Sequence, residues 1–283
     1  MDSIQTGLKD KGFALRPGAA MQAWLGEAWR DWAPFAASWN DLGDDQYMAD
    51  GGRYRRRRYA VFDVTANGIV RAPHQPHYQA KTYNRLNGGL DRWFDPVAPE
   101  IGNHPIIQAL IGELAKIFAA ALPATRAGWH VELHQFRIEA NQGAIGRPTP
   151  EGVHRDGVDG AFVMLVNRLN VSSGVTQIFD AHGASLGDFT LKNAGDAVFL
   201  DDARVFHGVF HRALNLIHRP GHRGFPFITC NRQPVAGSEC SGKSALIFEA
   251  ENGRLSVKPV AADVRRGKGP PRQQGRARSA ADA

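Results

Sequence analysis

Cysteine is scarce in this sequence, which has only Cys230 and Cys240 among its 283 residues. So few cysteines argue against a disulfide framework, and neither has the close cysteine or histidine partners of a structural zinc site. Long hydrophobic runs are also missing. The longest apolar stretch, 110–122, is interrupted by a glycine, a glutamate and a lysine, whereas a membrane span needs roughly 18 apolar residues. We therefore expect no transmembrane helix.

The first residues of the chain lack a basic start followed by an apolar core, so they predict no secretory signal. Together with the low cysteine content, this absence favours a cytoplasmic protein. The composition is otherwise that of a globular protein, with 43% hydrophobic residues. A chain of this length and composition can bury a substantial core.

The net charge of +6 is concentrated at the carboxyl end. Residues 261–283 contain six Lys or Arg against two Asp, which accounts for four of the six charges. This segment has no hydrophobic periodicity, so 260–283 is predicted to be a basic disordered tail. RNA binding through the tail is an alternative function. The remainder, 1–259, is predicted to form a single domain that ends in a hairpin at 245–258, around an Asn-Gly turn.

Within this domain, helical patterns precede strand patterns. Apolar residues recur at three- and four-residue spacing over 20–40 and 106–121, which predicts amphipathic helices. Trp24, Trp29 and Trp32 share this spacing and are expected in the core. Short strand-like segments follow, separated by Gly, Asn and Asp; they are 129–138, 161–170, 176–180, 197–200, 205–210 and 225–230. Many short strands without intervening helices predict a mainly β jelly-roll, with the early helices packed on one sheet.

One triplet in the strand-rich part is typical of a metal site. His154 and Asp156 are two positions apart, so on an extended segment both side chains project from the same face. The triplet alone is weak, because a turn with Asp156 capping backbone amides would have the same sequence. His207, near a strand end about fifty residues later, supplies a third ligand. Two histidines and one carboxylate leave other metal positions open, as non-haem Fe(II) oxygenases require.

A non-haem Fe(II) oxygenase that uses 2-oxoglutarate as its co-substrate also needs a cation for the distal carboxylate, and arginine can bind a carboxylate through two parallel hydrogen bonds. Arg223 lies 16 residues after His207 and leads into the strand-like segment 225–230. Arg212 and Arg219, on the preceding loop, are alternatives that the spacing leaves open.

Substrate ligands are harder to assign. Gln135 and Arg137 alternate with His134 and Phe136 on one strand, so one of these two pairs faces the cavity, and Arg137 could bind a substrate carboxylate. Arg155, between the two predicted ligands, is a further substrate-binding candidate. The arginine-rich segment 53–58 could suggest a phosphate patch, but alternation would send some side chains inward and others to solvent, so a solvated strand edge is the favoured interpretation.

A longer series of motifs surrounds these residues. They are His134-Gln-Phe-Arg-Ile, 146–159 with Pro-Glu-Gly-Val-His-Arg-Asp, Asn167-Arg-Leu-Asn and Asp202-Ala-Arg-Val-Phe-His-Gly-Val, with upstream matches in Arg57-Arg-Tyr, Pro73-His-Gln-Pro, 83–89 and Arg92-Trp-Phe-Asp-Pro. In this order they resemble the isoleucine dioxygenase group of 2-oxoglutarate/Fe(II) oxygenases, over roughly residues 50–233.

The resemblance implies a cupin-like double-stranded β-helix, with His154, Asp156 and His207 as iron ligands and Arg223 as the 2-oxoglutarate anchor. It implies hydroxylation of a small substrate, a free aliphatic L-amino acid, or sulfoxidation of a thioether, with release of succinate and CO2. The cofactors would be Fe(II), 2-oxoglutarate and O2, with ascorbate assisting in vitro. Related halogenases carry a small residue where this chain has Asp156, so hydroxylation is favoured over halogenation.

The chain departs from the family pattern at 210–222, which is longer than the usual loop, and at Pro226, which cannot donate to a strand ladder. Either the missing N–H of Pro226 falls where it does not matter, or Arg223 is displaced. His211 is the alternative to His207, but it lies in the atypical stretch.

Besides RNA binding through the tail, two alternative functions remain at this stage: a catalytically silent jelly-roll that binds metal, and an oxygenase acting on a protein or a nucleic acid. The oligomeric state is open, with a homodimer as one option.

Overall fold

The computed structural model describes residues 2–122, 128–140, 149–171, 174–210, 221–232, 245–251 and 254–260. Within these ranges the α-helices are α1 (Asp2–Lys11), α2 (Gly18–Leu25), α3 (Trp32–Ala37), α4 (Pro99–Gly102) and α5 (Pro105–Ala121), and two 3-10 helices span Gly26–Asp31 and Ser38–Asn40. None of the described helices combines the length and apolar character needed to cross a membrane. The basic tail, 261–283, lies outside the described residues, as does Cys240.

The strands dominate the chain after residue 128. In chain order they are β1 (Phe13–Arg16), β2 (Arg55–Thr65), β3 (Gly68–Arg71), β4 (His77–Tyr78), β5 (Asp91–Arg92), β6 (Trp129–Ala140), β7 (Gly160–Met164), β8 (Asn167–Leu169), β9 (Val175–Phe179), β10 (Ser185–Phe189), β11 (Ala197–Asp201), β12 (Phe206–Phe210), β13 (Gly221–Arg232), β14 (Ala245–Glu251) and β15 (Arg254–Val260). The last two strands pair with each other at the position of the expected hairpin.

Two antiparallel sheets carry the site. The larger has the strand order β1-β11-β7-β13-β6-β2-β3, with β8 beside β13, and the smaller has the order β10-β9-β12. Strand β11 shows how both faces of the larger sheet are covered. Phe199 packs into a cluster with the helices, whereas Val198 and Leu200 pack with Ile178 of the smaller sheet. The predicted jelly-roll is therefore confirmed, and a strand buried on both faces explains why 197–200 reads as a continuous apolar run.

Helix α5 forms most of the core on the helical side. Pro105 occupies its first turn, and the Nδ1 atom of His104 accepts a hydrogen bond from the Ile106 N–H at 3.3 Å, so the sequence both starts and caps the helix. One face of the helix packs on the sheet; its fully buried side chains include Ile106, Ile107, Leu110, Ile111, Leu114, Ile117 and Phe118. Each such side chain stabilises the fold by roughly 1.5–3 kcal/mol.

The long helix expected over 20–40 is divided into four short pieces. Gly26 has φ +52° and ends α2, and a 3-10 segment follows before α3. An apolar period alone does not reveal this break, because the tryptophans on both sides of it still pack against the same core. Trp24, Trp29 and Trp32 are partly buried there, as expected of core residues.

Pro226 does not interrupt β13. The strand pairs with β6 along its whole length, with Pro226 opposite Gln135. On its other edge β13 pairs with β8 at 222–224 and with β7 at 227–230. The Gly224 N–H bonds to Asn167 on that edge, and the backbone nitrogen of Pro226, two residues on, points the same way. The Pro226 nitrogen therefore lies at the gap between β8 and β7, where no ladder hydrogen bond is lost. Arg223 stays in register with β6, opposite Ile138.

Candidate metal centre

His154 and His207 are held side by side by the main chain. Each backbone N–H donates to the other residue's carbonyl oxygen at 2.9 Å, in an isolated antiparallel bridge. Asp156 lies between the two rings: its Oδ1 is 3.6 Å from His154 Nε2, and its Oδ2 is 3.5 Å from His207 Nε2. All three predicted ligands are brought together, because β12 and the segment before β7 meet at this bridge.

The loop that carries Asp156 is fixed by a second carboxylate. Asp202 is 1% exposed and accepts hydrogen bonds from the backbone N–H groups of Asp156, Gly157 and Val158 at 3.0, 2.8 and 3.0 Å. Burial, together with the nearby charge of Asp156, nevertheless raises the pKa of Asp202 to about 7. Asp202 thus belongs to the support of the site, a role that the sequence motif did not disclose.

The pKa values of the two histidines are shifted in opposite directions. Burial lowers the pKa of His154, but the carboxylates of Glu151 and Asp156 outweigh this effect and raise it to about 10. Burial and the neighbouring His154 charge lower the pKa of His207 to about 4. A divalent cation among these side chains would therefore replace the proton on His154 as the partner of the carboxylates.

The hydrogen bonding of His154 fits a metal ligand. Its Nδ1 atom is 3.0 Å from the carbonyl oxygen of Gly152, which can only accept a hydrogen bond, so Nδ1 carries a hydrogen. Nε2 faces Asp156 and is the ring nitrogen that would bind a metal ion. Asp156 Oδ2 is buried without a hydrogen-bond partner among the described residues. A two-histidine, one-carboxylate set with an orphaned carboxylate oxygen suits Fe(II).

A second group has a similar composition. His77, Glu132 and His134 also place one ligand atom each within 4.8 Å of one another. Here, however, the Nδ1 atoms face arginines: His134 Nδ1 is 2.6 Å from Arg57 Nη2, and His77 Nδ1 is 2.8 Å from Arg92 Nη2. Arginine can only donate, so both Nδ1 atoms are acceptors and the hydrogens lie on Nε2, pointing at Glu132. A metal ion would have to displace both hydrogens, so the geometry favours the first group.

A cavity of about 390 Å³ is lined by both groups and by Arg223. Arg223 is 8% exposed, and its Nη2 has no hydrogen-bond partner among the described residues. Burial and the nearby Arg168 lower its pKa to about 10, which leaves it charged at neutral pH. Gly174, with φ +113°, makes room for the guanidinium, because a Cβ there would lie 2.2 Å from Arg223 Nη1. The predicted anchor is therefore a buried cation on the cavity wall.

The arginine-rich segment is not a solvated edge, and that expectation is corrected. Strand β2 pairs with β6 from Arg55 onward, and alternate side chains of an extended strand point to opposite faces of the sheet. Arg55 and Arg57 are 5% and 3% exposed and line the cavity, together with Arg92 of β5. The alternation of Arg55 and Arg57 was the available signal, but the partners that make burial possible, Asp45 and His134, are distant in sequence.

The three predicted substrate ligands do not line the cavity, which corrects their assignment. Gln135 bonds to Ser38 and Arg137 to the Trp39 carbonyl, on the face of β6 opposite His134 and Phe136. Strand alternation allows either pair to face the cavity. In the fold, the face of β6 with Gln135 and Arg137 packs against the 3-10 helix Ser38–Asn40. Arg155 donates to the Ala203 carbonyl at 2.7 Å and stacks on Phe206. The alternative candidates His211, Arg212 and Arg219 lie outside the described residues.

A jelly-roll with a two-histidine, one-carboxylate cluster in its cavity is typical of non-haem metal oxygenases. The family model of the 2OG-Fe dioxygenases matches residues 36–229, and the chain belongs to this family. The protein is therefore a 2-oxoglutarate-dependent iron dioxygenase whose cofactors are Fe(II), 2-oxoglutarate and O2.

Solved structures agree with this assignment. A bsmA homolog from Methylobium petroleophilum PM1 is 33% identical, with a TM-score of 0.71 over 82% of this chain and 92% of that one. IDO from Bacillus thuringiensis (18% identical, TM-score 0.68, 82% and 99% covered) and the Fe(II)/α-ketoglutarate-dependent dioxygenase TqaL (19%, 0.65, 83% and 87%) share the fold. No curated protein gives a match.

Proposed function

We propose that the protein hydroxylates a free L-amino acid, with Fe(II) held by His154, Asp156 and His207 and 2-oxoglutarate anchored by Arg223. When bound, these cofactors supply an oxidation in which 2-oxoglutarate and O2 yield succinate and CO2 and one oxygen atom enters the substrate. Oxidation of a thioether side chain is the variant of the same reaction that the isoleucine dioxygenase-like motifs also imply.

The choice of substrate is supported by two buried polar atoms in the cavity, one on a cationic and one on an anionic side chain. Arg55 Nη2 and Glu151 Oε2 are both buried without hydrogen-bond partners among the described residues, and both side chains line the cavity. Buried polar atoms are normally paired, so these two indicate ligand groups of opposite charge. The ammonium and carboxylate of an α-amino acid supply one of each.

The remaining wall suits an apolar side chain. Phe136, Phe225, Phe227, Val163 and Leu165 line the same cavity. A volume of about 390 Å³ lies in the range of small-molecule sites and has to hold the co-substrate as well. These features support a small aliphatic substrate over a segment of a protein or nucleic acid. The unbroken pairing of β13 through Arg223 supports an active enzyme over a catalytically silent protein.

A mass-spectrometric screen tests the proposal. The full chain is incubated with Fe(II), ascorbate, 2-oxoglutarate and each free L-amino acid, and the products are searched for a gain of one oxygen. We expect one or a few aliphatic or thioether amino acids to be oxidised with matching succinate formation. Parallel reactions with peptides and oligonucleotides are the control. Oxygen gain confined to those, or no coupled oxidation of any amino acid, would contradict the proposal.

A further inference from the structure

Three arginines form a buried cluster on the cavity wall, away from the iron ligands in sequence. Arg55, Arg57 and Arg92 are 5%, 3% and 2% exposed. The carboxylate in direct contact with the cluster is Asp45, 2.6 Å from Arg55 Nε and 3.7 Å from Arg57 Nη1. A single carboxylate cannot compensate three buried guanidinium groups.

The other partners of the cluster are neutral. Arg57 and Arg92 donate to the Nδ1 atoms of His134 and His77. Burial and the neighbouring arginine charges hold the pKa of His134 well below its usual value, and burial does the same for His77 despite the nearby Glu132. A neutral imidazole satisfies a hydrogen bond but supplies no negative charge, so neither histidine acts as an ion-pair partner for its arginine.

Each arginine also has an unused nitrogen. Arg55 Nη2, Arg57 Nε and Arg92 Nε are buried without hydrogen-bond partners among the described residues. The Arg57 guanidinium lies over two rings, 3.6 Å from the Phe94 centroid and 4.4 Å from that of Phe136. Such contacts engage the face of a guanidinium, so its edges are the part that binds a ligand in its plane.

Glu132 explains why the histidines present Nδ1 to the arginines. Its carboxylate accepts hydrogen bonds from Tyr59 Oη at 2.6 Å and Thr229 Oγ1 at 3.1 Å. Its Oε2 is also 3.6 Å from His77 Nε2 and 3.9 Å from His134 Nε2. The negative charge favours the hydrogen on Nε2 of both rings, which leaves both Nδ1 atoms as acceptors.

We propose that Arg55, Arg57 and Arg92 bind the carboxylate of the substrate, and that Glu132 positions two of these arginines through His134 and His77. The assignment rests on the proposed amino-acid hydroxylation. The three buried guanidinium groups each keep a nitrogen without a hydrogen-bond partner among the described residues, and such donors suit the two oxygens of one carboxylate. The carboxylate comes from the substrate, because the distal carboxylate of 2-oxoglutarate has its own cation in Arg223.

The first test uses each amino acid that the screen identifies as a substrate and compares it with its primary amide. The amide keeps the side chain and the ammonium group but loses the carboxylate charge. Binding is measured anaerobically, from the change that each compound produces in the charge-transfer band of the Fe(II) and 2-oxoglutarate complex. We expect the wild-type protein to bind the amide on the order of 100-fold more weakly than the acid. Equal binding of acid and amide overturns the carboxylate assignment.

Arg57→Met and Arg92→Met test whether these arginines cause the difference in binding between acid and amide. Each variant should lose most of the discrimination between acid and amide, and its KM for the amino acid should rise much more than its KM for 2-oxoglutarate. Arg30→Met removes an exposed arginine and should change neither value. If the KM for 2-oxoglutarate rises instead, the cluster binds the co-substrate and the assignment is wrong. Arg92→Lys, which keeps the charge, serves as the milder replacement.

Glu132→Gln tests the positioning role. It keeps an acceptor for Tyr59 but removes the charge that orders the two histidines. We expect a raised KM for the amino acid and reduced discrimination against the amide, with a much smaller change in kcat. Unchanged discrimination would contradict the role of Glu132. Failure of every amino acid to bind or react would instead remove the proposed function itself, so the two failures are distinguishable.

Discussion

His154 and His207 exchange both of their main-chain hydrogen bonds, at 2.9 Å each, although they are 53 positions apart in the sequence. The pairing sets their Nε2 atoms on either side of the Asp156 carboxylate. Strand pairing, rather than side-chain packing, therefore places the two predicted ligands against the same carboxylate.

The two histidine clusters should differ in metal binding. A variant with both His154 and His207 replaced by alanine keeps His77, Glu132 and His134, yet we expect no tight Fe(II) binding, because arginines occupy the Nδ1 side of that second cluster. The wild-type chain should bind about one Fe(II). Metal analysis after anaerobic loading and desalting measures both, with His182→Ala, at an exposed turn, as the control. Stoichiometric iron in the double variant would show that the tautomer argument fails.

Asp202→Asn should weaken the metal site without touching a ligand. An amide NH2 would face one of the three N–H donors that now point at the carboxylate, and the Asp156 loop would lose order. We expect Fe(II) affinity to fall roughly 10- to 100-fold, and the free energy of unfolding to fall by about 1–3 kcal/mol. Competition with a chelator and urea unfolding measure these quantities.

Asp44→Asn is the control for this variant, because Asp44 is exposed and pairs with Arg56 at the surface. Its effect on stability should be within about 1 kcal/mol. Equal iron affinity in Asp202→Asn and Asp44→Asn would mean that Asp202 does not position Asp156.

Arg223→Met should act on the co-substrate. Removing the buried cation is expected to raise the KM for 2-oxoglutarate on the order of 100-fold, whereas Arg223→Lys, which keeps the charge but not the forked geometry, should lie between this variant and the wild type. Steady-state succinate formation at varied 2-oxoglutarate measures the effect. A KM that stays at the wild-type value would place the anchor elsewhere.

Gly174→Ala tests the space around that anchor. Its Cβ would lie 2.2 Å from Arg223 Nη1, so we expect weaker 2-oxoglutarate binding as well as the cost of a positive φ. Gly68→Ala is a matched control, since Gly68 has φ +118° and open space around its Cβ. Both variants should lose about 1 kcal/mol or more of stability, but only Gly174→Ala should change the KM for 2-oxoglutarate. Similar kinetics in the two variants would contradict the contact.

Ligand spacing and strand patterns, which are local features, predicted His154, Asp156 and His207 as a group, and the family resemblance added Arg223; the structure places all four on one cavity. The jelly-roll class followed from the same patterns. Pro226 conflicted with the strand prediction because proline cannot donate a hydrogen bond to a ladder. It is tolerated because its nitrogen lies between the ends of β8 and β7, and no local sequence pattern shows where those two strands end.

The substrate wall could not be predicted in the same way. Whether Gln135 or His134 faces the cavity is a choice between two faces of one strand, and alternation does not decide it. For the arginine-rich segment, alternation predicts that some side chains point inward and others to solvent but does not say which, and the partners of Arg57, Asp45 and His134, become its neighbours only in the fold. The break at Gly26 was missed because a glycine in a helical pattern is tolerated as often as it ends the helix.

Anaerobic titration of the full chain with Fe(II) and 2-oxoglutarate tests the central claim most directly. The protein should develop a weak visible charge-transfer band only when both are present, and Asp156→Ala and Arg223→Met should require far higher concentrations of metal and of 2-oxoglutarate, respectively. A folded wild-type protein that binds Fe(II) but shows no band with 2-oxoglutarate would contradict the account.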